Sequence, residues 1–252
     1  MTVTEPDDPG HSDPRRGVVE DRMSGIRRIV AVAGSKGGIG KSVVASLLAL
    51  HLADSGRRVG LLDLDLTSPT DHVVLGAAFG VPHEVFGVDP HRVGGVDLMS
   101  VACFSRAAAL PLRGRSTTEA LVEMLAITRW GDKDVLVIDM PPGLGDTTLD
   151  VIDLLPRTEF VVVADGSPVV IDSVKRAIDL LISLGKPIIG VFENMSRGDA
   201  GAVERLATSA RIAYLGAAGS DPRIEDAIGD CEALRSTDLY RSMRGLAAHV
   251  NG

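Results

Sequence analysis

The chain has 252 residues, which is long enough for one α/β domain with a complete core, and its 45% hydrophobic and 24% charged residues are typical of globular proteins. The formal net charge of −8 argues against a broad basic surface for nucleic acid, and no apolar run reaches the roughly 18 residues of a membrane span. Cys103 and Cys231 lie far apart in the sequence and match no disulfide or metal-ligand pattern.

The first 25 residues have the composition of a disordered segment. They are rich in Pro, Asp, Gly and Ser, and they lack the apolar stretch of a signal peptide. We therefore predict a disordered tail over residues 1–25, a single folded domain over residues 26–252 and a location in the cytoplasm.

A glycine-rich loop between a strand and a helix is the most informative segment of the chain. Residues 29–33 are apolar and predict a buried strand, and residues 43–53 predict a packed helix. In such a unit the backbone N–H groups and the helix N-terminus bind phosphate, Lys41 reaches the outer phosphates and the Ser42 hydroxyl binds Mg²⁺. The predicted nucleotide-binding residues of this loop are Gly37, Gly38, Ile39, Gly40, Lys41, Ser42 and Val43.

Strands and helices alternate along the rest of the chain. Apolar runs predict strands at residues 59–64, 96–101, 135–138, 160–164, 187–192 and 212–215. Helices are predicted at residues 117–128, 170–184, 202–210, 222–228 and 238–250, and residues 66–95 are predicted to be loops with a short helix. This alternation predicts an α/β fold with a single doubly wound, mainly parallel sheet flanked by helices.

Acidic and amide side chains follow several of these predicted strands. Ligands of such sheets bind at the carboxyl ends of the strands, so the glycine-rich loop, Asp63, Asp65, Asp139 and the pair Glu193–Asn194 are expected at one edge. Asp139 ends a buried strand, where its carboxylate can support Mg²⁺ through water, and residues 140–146 are suited to sensing the γ-phosphate. Asp63 and Asp65 have the spacing of one side of an extended chain, so one can orient water while the other supports the metal.

A second lysine, Lys36, precedes the phosphate lysine Lys41 by five residues. A side chain at this position does not easily fold back onto the phosphates that its own loop surrounds. It can instead reach a nucleotide held by a facing subunit, as an arginine finger does. The alternative is a solvated lysine on a loop, which the spacing alone does not exclude.

Several motifs in the same order resemble the deviant Walker A ATPases, a family that includes MinD, ParA and the nitrogenase iron protein. The loop sequence KGGIGKS carries the signature lysine of that family at Lys36. Four further segments resemble its Mrp-type branch: DLDLTSP at residues 63–69, VLVIDMPPGLGD at 135–146, GVFENMS at 190–196 and DPR at 221–223. Together the matches extend from about residue 29 to residue 228.

The resemblance implies a slowly hydrolysing ATPase that needs ATP and Mg²⁺ and works as a homodimer with the nucleotides between its subunits. It implies that Asp65 positions the attacking water, that Asn194 contacts the adenine edge and that Asp221 lies near the base. The predicted catalytic residues are Lys36, Lys41 and Asp65, and the residues predicted to hold the metal are Ser42, Asp63 and Asp139.

One departure from the family pattern concerns iron–sulfur clusters. Mrp-type proteins that carry a cluster usually have a Cys-Pro-x-Cys motif shortly after the ENMS segment, so that two subunits share four thiolates. Residues 196–201 of this chain contain no cysteine, and a cluster needs thiolates. We therefore do not expect an iron–sulfur cluster, although two copies of Cys103 or Cys231 meeting across a dimer remain an alternative.

Three functions remain open from the sequence. The first, which we favour, is an Mrp-like ATPase in metallocentre assembly or metalloenzyme maturation with an unidentified client protein; His72, His83 and His91 could then bind a metal such as nickel. The second is a MinD-like or ParA-like positioning or partitioning ATPase. Residues 239–250 contain two arginines and a glycine, and they predict a packed closing helix rather than a membrane-binding one. The third is a nucleotide-gated module without hydrolysis, against which Lys36 and the paired aspartates argue.

These roles predict that Lys36→Ala and Asp65→Ala each abolish ATP turnover. The first substitution removes the charge that acts across the dimer, and the second leaves the attacking water without its carboxylate. Phosphate release by the purified protein with Mg²⁺ and ATP measures this. Normal hydrolysis by Lys36→Ala would contradict the action of that lysine across the dimer.

Overall fold

The computed structural model describes residues 15–79, 86–104, 115–143, 145–198 and 201–251. The strands of this part are β1 (Ile26–Gly34), β2 (Val59–Asp63), β3 (His91–Val93), β4 (Val96–Ser100), β5 (Lys133–Asp139), β6 (Thr158–Ala164), β7 (Ile188–Ser196) and β8 (Tyr214–Gly219). The helices are α1 (Arg15–Met23), α2 (Lys41–Asp54), α3 (Asp71–Leu75), α4 (Arg115–Ile127), α5 (Asp146–Leu154), α6 (Pro168–Ser183), α7 (Ala202–Ala210), α8 (Arg223–Ala227), α9 (Cys231–Arg235) and α10 (Asp238–Asn251), with a 3₁₀ turn at Val101–Cys103.

The strands form one sheet in the order β3-β4-β2-β5-β1-β6-β7-β8. All neighbouring pairs are parallel except β3 and β4 at one edge. The central strands are buried on both faces, as their continuous apolar runs require; Val135 to Ile138 of β5 are at most 3% exposed. The predicted fold class, a single mainly parallel sheet flanked by helices, is confirmed.

Helix α2 is apolar on all sides because it lies between the sheet and α10. It packs against β1, β2, β4 and β5 on one side and against α10 on another, and nine of its residues are buried. Its first residue, Lys41, is therefore placed in the interior at the end of β1. The position of the phosphate loop is fixed by this packing.

The parallel arrangement brings the carboxyl ends of four strands to one edge. The register aligns Asp63 of β2 with Asp139 of β5, and Asp139 with Val32 of β1. Two residues after Val32, strand β1 ends at Gly34 and the glycine-rich loop begins. On the far side of β6, strand β7 carries Asn194 toward the same edge. The predicted convergence at one edge of the sheet is confirmed.

The prediction of a disordered N-terminal tail was wrong for the residues that the structure describes. Helix α1 covers Arg15–Met23, where Val19 and Met23, four residues apart on one face, are 1% and 4% exposed. Arg22 donates to the carbonyl of Ala126 at 3.0 Å, which attaches the helix to the end of α4. Two apolar side chains at helical spacing were enough to order a segment whose composition is polar. Residues 1–14 lie outside the described ranges.

Some elements were not predicted from the sequence. Helices α5 and α9 fall on segments for which no element was predicted. Strand β3 falls within residues 66–95, which were predicted as loops with a short helix, and α3 confirms that short helix. Helix α5 begins at Asp146, the last residue of the segment 140–146 that was predicted to sense the γ-phosphate. Leu144 within it lies outside the described ranges.

The C-terminal helix α10 is packed into the domain, as predicted. Its apolar face contacts α2 and β8, and Leu239, Met243, Leu246 and Val250 are at most 5% exposed. Within the described ranges, no helix combines the length and the apolar character that crossing a bilayer requires.

The packing of α1 predicts different effects for two adjacent valines. Val19→Ala should lower the free energy of unfolding by about 1–3 kcal/mol, because it removes buried methyl groups and leaves a cavity. Val18, on the same helix, is 42% exposed, and Val18→Ala should change stability by no more than about 0.5 kcal/mol. Urea unfolding of both variants measures the difference. Equal, negligible effects would show that α1 does not pack on the domain in solution.

Candidate functional site

The glycine-rich loop joins β1 to α2 in a conformation that requires glycine. Gly38 and Gly40 have φ values of +83° and +74°, which side chains rarely adopt. At Gly40 a Cβ atom would also lie 2.4 Å from the amide nitrogen of Asn194, so the loop approaches β7 too closely for any larger residue. The loop is further tied to the segment after β5, because Gly143 donates its N–H to the carbonyl of Gly34 at 2.8 Å.

Lys41 and Asp139 form a buried ion pair beneath this loop. The Lys41 ammonium lies 2.5 Å from Oδ1 of Asp139, and the two side chains are 7% and 0% exposed. The other carboxylate oxygen, Oδ2, is buried and has no hydrogen-bond partner. Burial raises the pKa of Asp139 above its ordinary value, although the Lys41 ammonium and the Ser42 hydroxyl lower it. The predicted phosphate lysine and the predicted metal carboxylate are thus paired with each other.

Asp63 organises the turn that follows β2. Its Oδ1 accepts the N–H of Asp65 at 3.1 Å, and its Oδ2 accepts the N–H groups of Thr70 and Asp71 and the hydroxyl of Ser100 at 3.0–3.3 Å. Burial and the neighbouring Asp139 carboxylate raise the pKa of Asp63 to about 7 despite these bonds. Asp63 therefore fixes the conformation of the residues that follow β2, and its carboxylate lies beside that of Asp139.

Asp65 lies just beyond the end of β2 and is partly exposed. Its carboxylate accepts the hydroxyl of Thr67 at 2.9 Å and the N–H of Ser68 at 3.1 Å through the same oxygen, Oδ1. These two bonds hold the Asp65 side chain in place. Asp63 is buried and Asp65 is partly exposed, so the two carboxylates lie in different environments at the same edge of the sheet.

Asp71 is the site residue that the sequence reasoning missed. It is fully buried, with Oδ1 accepting the hydroxyl of Ser46 at 2.8 Å and Oδ2 without a partner. Oxygens of Asp63, Asp71 and Asp139 lie within 4.8 Å of one another. Burial, followed by the charges of Asp139 and Asp63, raises the pKa of Asp71 well above its ordinary value. No role was assigned to Asp71 from the sequence.

Asn194 holds the phosphate loop from the side. It is 2% exposed, and its amide nitrogen donates to the carbonyl of Ile39 at 2.9 Å. Ile39 is itself 2% exposed, so the loop is anchored by one apolar side chain and one buried amide. Contact between Asn194 and an adenine edge stays a prediction.

Asp221 forms hydrogen bonds with the first residues of α10. Its carboxylate accepts the N–H groups of Asp238 and Leu239 and forms an ion pair with Arg223 at 3.2 Å. Burial alone would raise the pKa of Asp221, but the hydrogen bonds to its carboxylate outweigh that effect and lower it. These bonds give Asp221 a capping function, and its predicted place near the base stays a prediction.

Lys36 is exposed on the loop, and within the described part of the chain it makes no ion pair. Its side chain is therefore available at the surface beside the nucleotide site. This arrangement fits both a contact with a facing subunit and a solvated lysine.

Within the described residues, His72 and His91 belong to no converging group of metal ligands. The Phe79 ring contacts both imidazoles, in a tilted arrangement with His72 at 5.7 Å and edge-on with His91 at 5.4 Å between ring centroids. His83 lies outside the described ranges. The only group of potential metal ligands that converges within those ranges is Asp63, Asp71 and Asp139.

The donor set at the carboxyl edge fits Mg²⁺. Hard divalent cations of this size prefer carboxylate, hydroxyl and water oxygens. Ser42 supplies a hydroxyl in the first turn of α2, and Asp139 supplies a buried carboxylate oxygen that lacks a protein partner. The metal role of Ser42, Asp63 and Asp139 stays a prediction, with which this donor set is compatible.

A family profile described as ParA, NUBPL iron-transfer P-loop NTPase, matches residues 25–234. This match includes the loop, the buried ion pair and Asn194. The chain belongs to this family. As a ParA/NUBPL-type P-loop NTPase it is a nucleotide-binding protein, and the predicted resemblance to the deviant Walker A proteins is confirmed.

Curated relatives of this P-loop NTPase carry the name iron-sulfur cluster carrier protein. The protein of Pseudomonas fragi is 36% identical to this chain, and the match covers 69% of this chain and 62% of that protein. The protein of Escherichia coli is 37% identical, and the match covers 69% of this chain and 48% of that protein. The protein of Rickettsia bellii is 32% identical over 87% of this chain and 69% of its own. The chain thus spans about half to two thirds of the length of these relatives.

Solved structures share the fold. The nucleotide-binding protein of Archaeoglobus fulgidus in complex with ADP has a TM-score of 0.74 at 24% identity, over 90% of this chain and 95% of its own. The septum site-determining protein MinD of Pyrococcus horikoshii, complexed with Mg-ADP, has a TM-score of 0.68 at 18% identity. That match covers 89% of this chain and 96% of the MinD chain. At such identities the likeness concerns the fold alone.

The burial of the two cysteines predicts slow alkylation. Burial raises the pKa of Cys103 to about 11 and also raises that of Cys231, whose thiol donates to the carbonyl of Leu75 at 3.3 Å. Because the raised pKa favours the neutral thiol, the reactive thiolate is scarce at pH 8 in the folded protein. Iodoacetamide should label Cys103 at least about tenfold more slowly in the native than in the urea-unfolded chain. Equal rates by mass spectrometry would contradict this assignment.

Proposed function

We propose that this P-loop NTPase is a Mg²⁺-dependent, slowly hydrolysing ATPase that works as a homodimer in metallocentre assembly or metalloenzyme maturation. The observation that carries the proposal is the buried Lys41–Asp139 pair beneath a loop of phosphate-binding geometry. The names of its relatives, iron-sulfur cluster carrier proteins, support a role in assembly. The client protein is unidentified, and a cytoplasmic location stays a prediction.

Phosphate binding would exchange the partner of Lys41. In the described conformation the ammonium neutralises Asp139. The β- and γ-phosphates of ATP present a stronger concentration of negative charge at the N-terminus of α2, so Lys41 would turn from the carboxylate to the phosphates. Ser42 and the carboxylate of Asp139 would then hold Mg²⁺, which when bound neutralises charge on the phosphate oxygens.

Water attack would depend on Asp65. Its position is set by the hydrogen bond from its own N–H to Asp63 and by the bonds that Thr67 and Ser68 donate to its carboxylate. An oriented carboxylate can hold a water molecule in line with the leaving group. Asn194 would keep the loop closed against β7 while this happens, since its amide supports the carbonyl of Ile39.

Lys36 would complete the site of the facing subunit. It is exposed beside the loop and has no charged partner within the described residues, so approach of a second copy would place it against the partner's phosphates. Hydrolysis would then require the dimer. This is the proposed basis of a switch.

Cluster carriage by the family's paired cysteines is not part of the proposal. The sequence has cysteines only at positions 103 and 231, and both side chains are partly buried with raised pKa values. A cluster needs accessible thiolates. We therefore propose that the protein drives an assembly step through ATP while the cluster or metal is held by other groups.

A positioning function like that of MinD is less well supported. The apolar residues of α10 are buried against α2 and β8 and are not available for a membrane surface. The acidic net charge of −8 gives no broad surface for DNA. The MinD structure of Pyrococcus horikoshii and a ParA family ATPase structure share the fold at 18% and 14% identity, and such identities carry no functional argument.

Mixing two inactive variants tests the action of Lys36 across the dimer. In a mixed dimer of Lys36→Ala and Asp65→Ala, the nucleotide held by the Lys36→Ala chain has its own Asp65 and receives Lys36 from the partner. Random pairing at a 1:1 ratio should restore about a quarter of wild-type turnover, because half of the dimers are mixed and each has one complete site. Phosphate release against the mixing ratio measures this.

The matched control mixes Lys41→Ala with Asp65→Ala. Lys41 and Asp65 serve the nucleotide of their own chain, so neither site of the mixed dimer is complete and turnover should stay absent. Turnover restored in this control mixture would contradict the proposed arrangement. So would the absence of turnover in the mixture of Lys36→Ala and Asp65→Ala, provided that both variants bind ATP and dimerise.

A further inference from the structure

The interior beneath the phosphate loop contains more negative charge than its protein partners neutralise. Asp63, Asp71 and Asp139 bring carboxylate oxygens within 4.8 Å of one another, and Lys41 forms an ion pair with Asp139. All three carboxylates are buried. Burying charges that lack opposite charges is strongly unfavourable, so the group requires a further positive species, either protons or a cation.

Two of the carboxylates have a buried oxygen at which a proton or a cation could bind. Oδ2 of Asp71 and Oδ2 of Asp139 are buried and have no hydrogen-bond partner, although their other oxygens are bonded to Ser46 and Lys41. Asp63 accepts four hydrogen bonds, and its Oδ1, with a single donor, keeps one lone pair. Each residue can therefore offer one ligand oxygen.

The spacing of these oxygens fits a small divalent cation. Ligands on opposite sides of Mg²⁺ or Mn²⁺ are about 4.2 Å apart at metal–oxygen distances of about 2.1 Å. Neighbouring ligands on such an ion are about 3.0 Å apart, so three oxygens that lie within 4.8 Å of one another would draw closer around the cation. Hydrogen bonds to Oδ2 of Asp63 and to Oδ1 of Asp71 hold both carboxylates in place beside Asp139.

We propose that Asp71, together with Asp63 and Asp139, binds a divalent cation of the Mg²⁺ class before nucleotide arrives, and that the cation displaces the Lys41 ammonium from Asp139. The cation takes the place of the lysine charge in the interior. Lys41 is then free to meet the phosphates of ATP, a last step that rests on the proposed function. Asp71 is thus proposed as a metal ligand that lies outside the phosphate loop, at the start of α3.

Uptake of Mn²⁺ by nucleotide-free protein tests this directly. Mn²⁺ replaces Mg²⁺ and its free form is measured by electron paramagnetic resonance. The full chain should bind one Mn²⁺, and Asp71→Asn, which keeps the shape of the side chain and removes its charge, should weaken binding at least tenfold. Asp134→Asn is the matched control, since Asp134 lies on the same strand β5, far from the cluster and bonded to Arg58. Its affinity should equal that of the wild type.

A second measurement uses wild-type protein only. Three carboxylate ligands leave about three of six positions on the bound Mn²⁺ for water, a number that water-proton relaxation or pulsed resonance counts. No uptake of Mn²⁺ without nucleotide, five or more bound waters, or unchanged affinity in Asp71→Asn would each overturn the proposal. Thermal unfolding with and without Mn²⁺ shows that Asp71→Asn is folded, and Mn²⁺ should raise the midpoint of the wild type but not of this variant.

Separate measurements distinguish a failure of this proposal from a failure of the proposed function. Uptake of Mn²⁺ in the absence of nucleotide needs neither hydrolysis nor a dimer. A chain that binds Mn²⁺ through Asp71 but does not turn over ATP would contradict the proposed function alone. A chain that turns over ATP with Mg²⁺ but takes up Mn²⁺ only together with nucleotide would contradict the role of Asp71 alone.

Discussion

The buried ion pair between Lys41 and Asp139 is the interaction on which the rest of the site depends. Its side chains are 7% and 0% exposed, and losing one partner of such a pair destabilises a protein by about 3–5 kcal/mol because the other charge is left uncompensated. The proposed function assigns Lys41 to the phosphates and Asp139 to the metal, so binding would exchange the partners of this pair.

The parallel sheet explains how these groups meet. Register places Asp63 of β2 beside Asp139 of β5, and β1, on the other side of β5, delivers the loop. Lys41 therefore contacts Asp139 although the two residues are 98 positions apart in the sequence. The loop is then held on its other flank by Asn194 of β7. Glycine at position 40 permits this close approach of the loop to Asn194. Asp65 and Lys36, for which we propose roles in hydrolysis, lie at the more exposed margin of the site.

The sequence predicted the parts of the site that depend on local pattern. An apolar strand, a glycine-rich loop and an apolar helix place Lys41 and Ser42, and buried runs ending in aspartate place Asp63 and Asp139. Asp71 could not be identified in this way, because a polar residue opening a short helix is ordinarily solvent-facing. Its burial depends on Ser46, 25 residues earlier, and on the packing of α2. Helix α1 was missed for a similar reason, since its order comes from tertiary contacts of Val19 and Met23.

The central claim, that Lys41 moves from Asp139 to the nucleotide, is tested most directly by a crystal structure of the full chain with Mg²⁺ and a non-hydrolysable ATP analogue. The measured quantity is the distance from the Lys41 ammonium to Oδ1 of Asp139, which is 2.5 Å in the present structure. The account predicts a separation beyond about 4 Å, with the ammonium in hydrogen-bond contact with phosphate oxygens. An intact ion pair beside a bound triphosphate would contradict it.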